Sequence, residues 1–452
     1  MAFLSEASFG SAEESRIYNK VAARLLPFLL FLYIVAFLDR INVSFAKFSM
    51  ATDIGLGDAA YGLGAGIFFI AFCIFEIPSN LMLQRVGAKF WIARIMVVWG
   101  LVCAAMAWVH NPLTFYGLRF LLGVAEAGFY PGIILYLSYW FPPRLRGQAT
   151  AIFVIGMPLA GAIGAPLCGL AMAHMGGVGG LRDWQWLFIL TGLPATLVGV
   201  ITYFYLDDRP EKARWLSDPE KALIVADLTA EKRNLDHAAA PHRLRDAFTS
   251  SSLWFLAFIN FTIVVSLYAL SFWLPQIVKN LGVSDAFENG LIVSIPSAIA
   301  AVGMVLIDRR SDRLAERRWH TAGTILLAAG GLAIASVYSH STWISMFGLS
   351  LAMIGVFTSF TILWTLPGLL VSGSAAAAGI ALITTVGNLG GYVGPFMMGW
   401  VKQSTGHLEY ALLLCAGLLV MGALVTLWLP GLRSGARGDG AAAPHRPEDA
   451  AA

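Results

Sequence analysis

The chain has 452 residues, of which 58% are hydrophobic and only 13% are charged. Soluble domains carry about a quarter of their residues as Asp, Glu, Lys and Arg, so the composition excludes a water-soluble globular protein. The net charge of +3 gives no ground for a nucleic-acid partner, since no basic stripe with interleaved aromatics accompanies it.

Residues 1–24 are polar and mixed in charge, with no short apolar core followed by a small-residue cleavage site, so the first apolar run is itself the insertion signal. Twelve such runs follow, at about 25–46, 61–83, 91–109, 114–138, 150–173, 185–206, 253–275, 290–307, 321–338, 343–366, 378–400 and 409–429. Each is roughly 18–25 residues, the length a helix needs to cross ~30 Å of hydrocarbon. The longest polar stretch, 207–252, divides them into bundles at 25–206 and 253–430 and reads as a cytoplasmic linker. Within it, Ser217-Asp218-Pro219-Glu220 has the spacing of a capping box and opens a short helix through about Arg233. The tail, 431–452, is rich in Ala, Gly, Pro and charge and is expected to be disordered.

Lysines and arginines are retained on the cytoplasmic side, which fixes the orientation. With the N-terminus inside, the outer connections keep only Lys47, Arg182, Lys279 and Lys402. Arg40 and Arg119 fall within spanning runs, and the rest of the 30 basic residues lie on the cytoplasmic side together with both termini. Trp91, Trp108, Trp140, Trp184, Trp186, Trp254, Trp319 and Trp343 lie near run ends, as interfacial anchors do. The 4 cysteines, Cys73, Cys103, Cys168 and Cys415, sit inside runs without metal-ligand or redox spacing and read as packing residues. No metal or cofactor is expected, and no nucleophile–base pair or phosphate-binding loop points to an enzyme.

The halves echo each other. Asn80-Leu-Met-Leu-Gln-Arg85-Val-Gly87-Ala-Lys89 after the second run and Asp308-Arg-Arg-Ser-Asp312-Arg313 after the eighth are both tight basic turns. Gly161, Gly164, Pro166 and Gly169 in the fifth run match Gly390, Gly391, Gly394, Pro395 and Gly399 in the eleventh. Small residues let helices approach closely and prolines bend them. Repeated six-helix units with a binding site between them fit a rocking transporter.

Four charges lie deep in the first and fourth runs: Asp39, Arg40, Arg119 and Glu126. Each costs at least ~2.5–3.5 kcal/mol at a helix centre, so such residues face a partner, a cavity or a substrate path. Arg119 and Glu126 share a helix face ~10.5 Å apart along the axis, while adjacent Asp39 and Arg40 point about 100° apart. The four can meet at one site if the first and fourth helices are neighbours. If a carboxylate there takes up a proton, an arginine is released to receive a substrate carboxylate in a forked pair of hydrogen bonds. Glu76, in Phe75-Glu76-Ile-Pro78, is read as capping a bend or binding the basic loop.

The stretches Leu38-Asp39-Arg40-Ile-Asn42, Arg119-Phe-Leu-Leu-Gly123-Val-Ala125-Glu126-Ala-Gly128-Phe129-Tyr130-Pro131-Gly132, Trp140-Phe-Pro142-Pro-Arg144-Leu-Arg146 and Ser271-Phe-Trp273-Leu-Pro275-Gln276, in this order, resemble the major facilitator superfamily. Within it the chain is similar to the anion:cation symporters of tartrate, sugar acids and hydroxyphenylacetate. The resemblance covers Arg24 to about Pro430. The first basic turn lacks the superfamily's usual aspartate, a departure common in that branch. The resemblance implies an all-α integral membrane fold of twelve helices in two pseudo-symmetric bundles. It implies a proton-coupled symporter that imports an organic carboxylate by rocker-switch alternating access. Glu126 would be the proton-coupling residue and Asp39 a second protonation site. Arg40 would be the main carboxylate ligand, and Arg119 an organiser of Glu126 or a second anion contact. Asn388 would be a ligand contact, with Tyr33, Tyr268, Trp273, Trp364 and Tyr392 able to line the cavity. Phe37 and Phe72 stand where sugar-acid members often present tyrosines, which favours a less polar or aromatic acid. Arg85, Lys89, Asp308, Asp312 and Arg313 would clamp helix ends in one conformational state. The expected partners are a small organic anion, protons and the lipid of a bacterial inner membrane, with the protein a monomer. The alternatives are an exchanger or efflux antiporter, for which Gly164-Ala165-Pro166 is an imperfect motif, and a non-transporting anion receptor of the same fold.

Overall fold

A computed structural model of the chain describes residues 4, 9, 11–238, 250–314, 316–367 and 374–429. The expected tail, with Arg433, Arg437 and Arg446, and the distal linker lie outside these residues. The described chain contains helices and no strands: α1 (Ala12–Asp53), α2 (Asp58–Val86), α3 (Ala88–Ala105), α4 (Pro112–Glu126), α5 (Phe129–Ser138), α6 (Pro143–Val154), α7 (Gly156–His174), α8 (Asp183–Tyr205), α9 (Asp218–Ala238), α10 (Ser251–Asn280), α11 (Ala286–Leu314), α12 (Arg318–Val337), α13 (Thr342–Leu363), α14 (Ser374–Thr405) and α15 (Glu409–Trp428). Taken across their breaks, these supply 12 segments long and apolar enough to cross a membrane. Each overlaps one of the twelve expected runs.

Three differences from the expected runs have physical causes. The first helix extends over 42 residues, well past its apolar run, with Ser11 capping its start through the Glu14 amide. Its polar beginning is held by α9, where Tyr18 donates to Asp227 at 2.7 Å and Lys20 pairs with Glu220 at 2.7 Å. The fourth run is two helices, because Ala127 is extended and Gly128 adopts φ +85°, a left-handed conformation that favours glycine. The fifth run is divided between α6 and α7 at Ile155, which stays helical at φ −56° and ψ −20°, while Pro158 lacks the amide for the Val154 carbonyl.

α9 starts as its capping box predicts, with the Ser217 amide donating to Glu220 at 2.9 Å. Hydrogen bonds from the Lys20 ammonium and the Ser217 amide hold the Glu220 carboxyl below its usual value. Trp215 stacks on the buried Trp140, with ring centroids 5.7 Å apart. Trp140 is therefore a linker contact rather than an interfacial anchor, and buried Trp184 likewise donates inward to Asp53 at 2.7 Å. Trp108, Trp254, Trp319 and Trp343 are exposed, as a membrane-interface position requires.

In the first half α3 packs on α8, α2 on α4, and α1 on α7 and α8; in the second, α12 packs on α13 and α15, and α10 on α14 and α15. The halves meet along α2 with α14, α7 with α11, and α1 with α10. Large apolar residues such as Leu113, Phe204 and Trp343 face outward, whereas Asp39, Arg40, Arg119 and Glu126 are buried. That inside-out polarity suits hydrocarbon, where polar groups must find partners within the protein.

The two long seams are tight at the end carrying Asp58 and Ala286. A side chain at Gly62 would strike the Pro395 carbonyl, at Gly399 the Asp58 carbonyl, at Gly169 the Ala286 carbonyl, and at Gly290 the Ala165 carbonyl. Such close approach to a backbone carbonyl is possible only where the facing residue is glycine. At the same end Asp58 binds Lys47 at 2.6 Å and, across the seam, Lys402 at 3.3 Å. The Lys47 ammonium also lies 3.7 Å from the centre of the Trp273 ring on α10. Tyr61 of α2 donates to the Phe272 carbonyl of α10, in the other half, at 3.1 Å.

Candidate functional site

Arg40 projects from the middle of α1 to the junction of the halves. It forms an ion pair with Glu126, the last residue of α4, and donates to the Tyr268 hydroxyl of α10 at 2.7 Å. Its guanidinium is ringed by Phe68 at 5.3 Å, Phe72 at 5.7 Å, Tyr268 at 5.9 Å and Phe37 at 6.0 Å from the ring centres. A desolvated ion pair among aromatic faces is costly to break from one side, about 3–5 kcal/mol, because the surviving charge has no water. Anything that neutralises Glu126 therefore creates a strong demand for another anion at Arg40.

The other two buried charges lie apart from this pair. Asp39 turns into the first half, accepting from Trp99 Nε1 at 2.8 Å beside Cys103. Asn42, one turn on, donates to Thr191 at 2.8 Å in the same polar pocket between α1, α3 and α8. Arg119 donates to the carbonyls of Gly64 at 3.3 Å and Ala65 at 3.2 Å, binding α4 to α2. It also lies over the Phe68 and Phe272 rings at 5.2 and 5.6 Å. The structure thus brings Arg40 and Glu126 together and gives Asp39 and Arg119 other partners.

Beside Arg40 lies a cavity of about 50 Å³, lined from both halves by Tyr33, Arg40, Phe69, Phe72, Glu76, Tyr130 and Met157, and by Asn260, Val264, Tyr268, Phe360, Trp364, Thr384 and Asn388. Of the residues expected from sequence, Arg40, Phe72, Tyr33, Tyr268, Trp364 and Asn388 line it. Phe37 lines a smaller apolar pocket of about 20 Å³, with Ser44, Ser271 and Ser297. Tyr392 lies in the α2–α14 seam against Gly66, stacked on Phe396 at 5.8 Å, and Trp273 lies at the Lys47 end.

Sequence reasoning gave Glu76 a different role and missed Asn260. Glu76 is buried in the cavity wall, where it accepts from Asn388 Nδ2 at 3.1 Å across the seam. A carboxylate four residues from Phe72 and seven from Phe69 shares their helix face, and that spacing was the available signal. Asn260 donates Nδ2 to the Ile383 carbonyl at 3.0 Å, leaving its Oδ1 without a hydrogen-bond partner. Arg40 Nε and Trp364 Nε1 are buried without partners at the same cavity.

The residues expected to gate the helix ends make contacts within each half. Asp308 accepts from Thr361 at 2.8 Å, Asp312 pairs with Arg317 at 2.6 Å, and the Lys89 amide donates to Asp208 at 3.0 Å. Arg85 and Arg313 occupy the last turns of α2 and α11.

Residues 29–395 match the Major Facilitator Superfamily. The chain belongs to that superfamily. A protein of Agrobacterium vitis named for tartrate transport is 47% identical over 416 residues, covering 92% of this chain and 95% of its own length. A quinolone resistance transporter of Acinetobacter baumannii is 41% identical over 416 residues, covering 91% of this chain and 94% of its own. Among solved structures, a bacterial homologue of the lysosomal transporter Spinster shares the fold, with a TM-score of 0.73 at 19% identity over 94% of this chain and 98% of that one. This member of the major facilitator superfamily is therefore a multi-pass membrane transporter and not an enzyme, and its relatives agree with the resemblance to anion:cation symporter-type permeases.

Proposed function

We propose that the protein imports an organic carboxylate together with protons across a bacterial inner membrane, with both termini cytoplasmic. The observation that carries this reading is the Arg40–Glu126 ion pair beside a cavity shared by the two halves. Protonation of Glu126 removes Arg40's anionic partner, and the substrate carboxylate takes its place, so proton and anion each promote the binding of the other. Asp39, close behind on the same helix, serves as a second protonation site. Arg119 fixes α4 against α2 and so positions Glu126, while Asn388, Phe72, Tyr268 and Trp364 contact the substrate. Phe37 shields the Arg40 guanidinium, and Tyr392 packs the seam between the halves.

The bundles 25–206 and 253–430 rock about the seams, the basic turns with Arg85, Lys89, Asp308, Asp312 and Arg313 bracing one state. The protein acts as a monomer.

The test is external alkalinisation of proteoliposomes on adding tartrate, galactonate, 4-hydroxyphenylacetate, phthalate or neutral analogues. The reading requires alkalinisation with some acids only, absent in Glu126→Gln, which keeps anion exchange. Accumulation that survives unchanged in Glu126→Gln removes Glu126 from coupling. The relative named for quinolone resistance favours a second reading, export in exchange for protons. In that case an imposed proton gradient empties preloaded vesicles instead of filling them.

A further inference from the structure

The cavity has a second pole that the symport reading leaves unused. Glu76 on α2 lies one helical turn, ~6 Å, beyond Phe72, whose ring lies near the Arg40 guanidinium. Asn260 on α10 is two turns, ~12 Å, before Tyr268, whose hydroxyl is bound to Arg40. α2 and α10 run in opposite directions, so both displacements point to the same end of the cavity. Asn388 joins Glu76 there, and the wall between the poles is aromatic.

The chemistry of this pole is accepting. Asn388 occupies one oxygen of Glu76, and among the described residues no cation is recorded in an ion pair with that carboxylate. Asn260 Oδ1 is an acceptor without a donor, its amide fixed by the bond from Nδ2 to the Ile383 carbonyl. Buried acceptors are expensive to leave unsatisfied, so the site favours a ligand that carries a donor to them.

We infer that Glu76 and Asn260 are specificity-determining residues that read an O–H or N–H donor on the substrate. Glu76 sets that donor about one helical turn from the carboxylate held by Arg40, and Asn260 lies about one turn deeper. A benzene-type ring separates para substituents by a similar length, and its faces match the aromatic wall. The substrate class is then a single-ring aromatic carboxylate with a donor opposite the carboxylate, in preference to a polyhydroxylated chain acid. This inference rests on Arg40 as the carboxylate ligand.

The experiment is equilibrium binding of benzoate, 4-hydroxybenzoate, 4-methoxybenzoate and tartrate to the full-length protein in detergent, by calorimetry. The wild type should bind 4-hydroxybenzoate about tenfold more tightly than benzoate or 4-methoxybenzoate, the value of a hydrogen bond to a charged acceptor. Glu76→Gln should shrink that preference to within about threefold. Equal binding of the hydroxy and methoxy acids, a preference surviving in Glu76→Gln, or tartrate as the tightest ligand overturns the inference and leaves Arg40's role standing. If no acid binds to folded wild-type protein, the carboxylate reading itself falls. Should Glu76→Gln not fold, the comparison of the three para substituents in the wild type still decides.

Discussion

The α2–α14 seam is built differently at its two ends. Around Asp58 it is backbone against backbone, with Gly62 against the Pro395 carbonyl and Gly399 against the Asp58 carbonyl, while farther in Gly66 and Gly391 make room for the Tyr392 and Phe69 rings. Near Glu76 it is one side chain reaching another, and farther along Ile77, Leu81, Met82 and Val86 of α2 are exposed. Backbone packing of this kind is all or none, whereas a hydrogen bond between side chains can be exchanged for one to a ligand. A carrier needs both, one end that holds shut while the other trades its contacts.

The strongest way to break that contrast is to wedge the tight end. Gly62→Leu should cut transport by more than about thirtyfold, the result of overpacking against the Pro395 carbonyl, as measured by initial uptake rates in proteoliposomes. At the exchangeable end, Arg40→Lys should weaken substrate binding by at least about tenfold, because a point charge cannot reproduce the guanidinium fork. Unchanged affinity would exclude Arg40 as the ligand. Asp58→Asn should shift the balance of states by about fivefold, since it removes the carboxylate shared by Lys47 and Lys402. Spin labels at the Asp58 end of α2 and the Lys402 end of α14 would report this as a larger population of long distances.

The smallest effect tests a contact remote from both ends. Glu220's carboxyl is depressed in the folded protein, so its contribution is complete above the unfolded value and is lost as pH falls through the folded one. Acidification through the carboxylate range should therefore reduce amide-exchange protection of α9 by about twofold to fourfold, and Glu220→Gln should remove the pH dependence.

How much of this was legible in the sequence depends on what kind of residue carried it. The spans were readable because hydrocarbon imposes a length and a polarity on every helix. Arg40 and Glu126 were readable because intramembrane charges are rare. Their pairing was not, since seven-residue spacing placed Arg119 beside Glu126 while the carbonyls of Gly64 and Ala65 had a stronger claim on that guanidinium. Glu76 was misread for a similar reason: its place near a bend suggested a cap, and only the position of α14 reveals Asn388 opposite it. Tyr392 matched the composition of a cavity residue but turns into the seam.

The break at Gly128 makes the fourth span two rods rather than one. The upper rod is pinned to α2 by Arg119 and ends at Glu126; the lower is pinned to the linker through Tyr136, which donates to the Asp207 carbonyl at 2.9 Å. In a continuous helix, any tug at the Asp207 end would travel straight to Glu126. With the joint between them, Glu126 can keep its alignment with α2 while the lower rod swivels, so the two can be loaded independently.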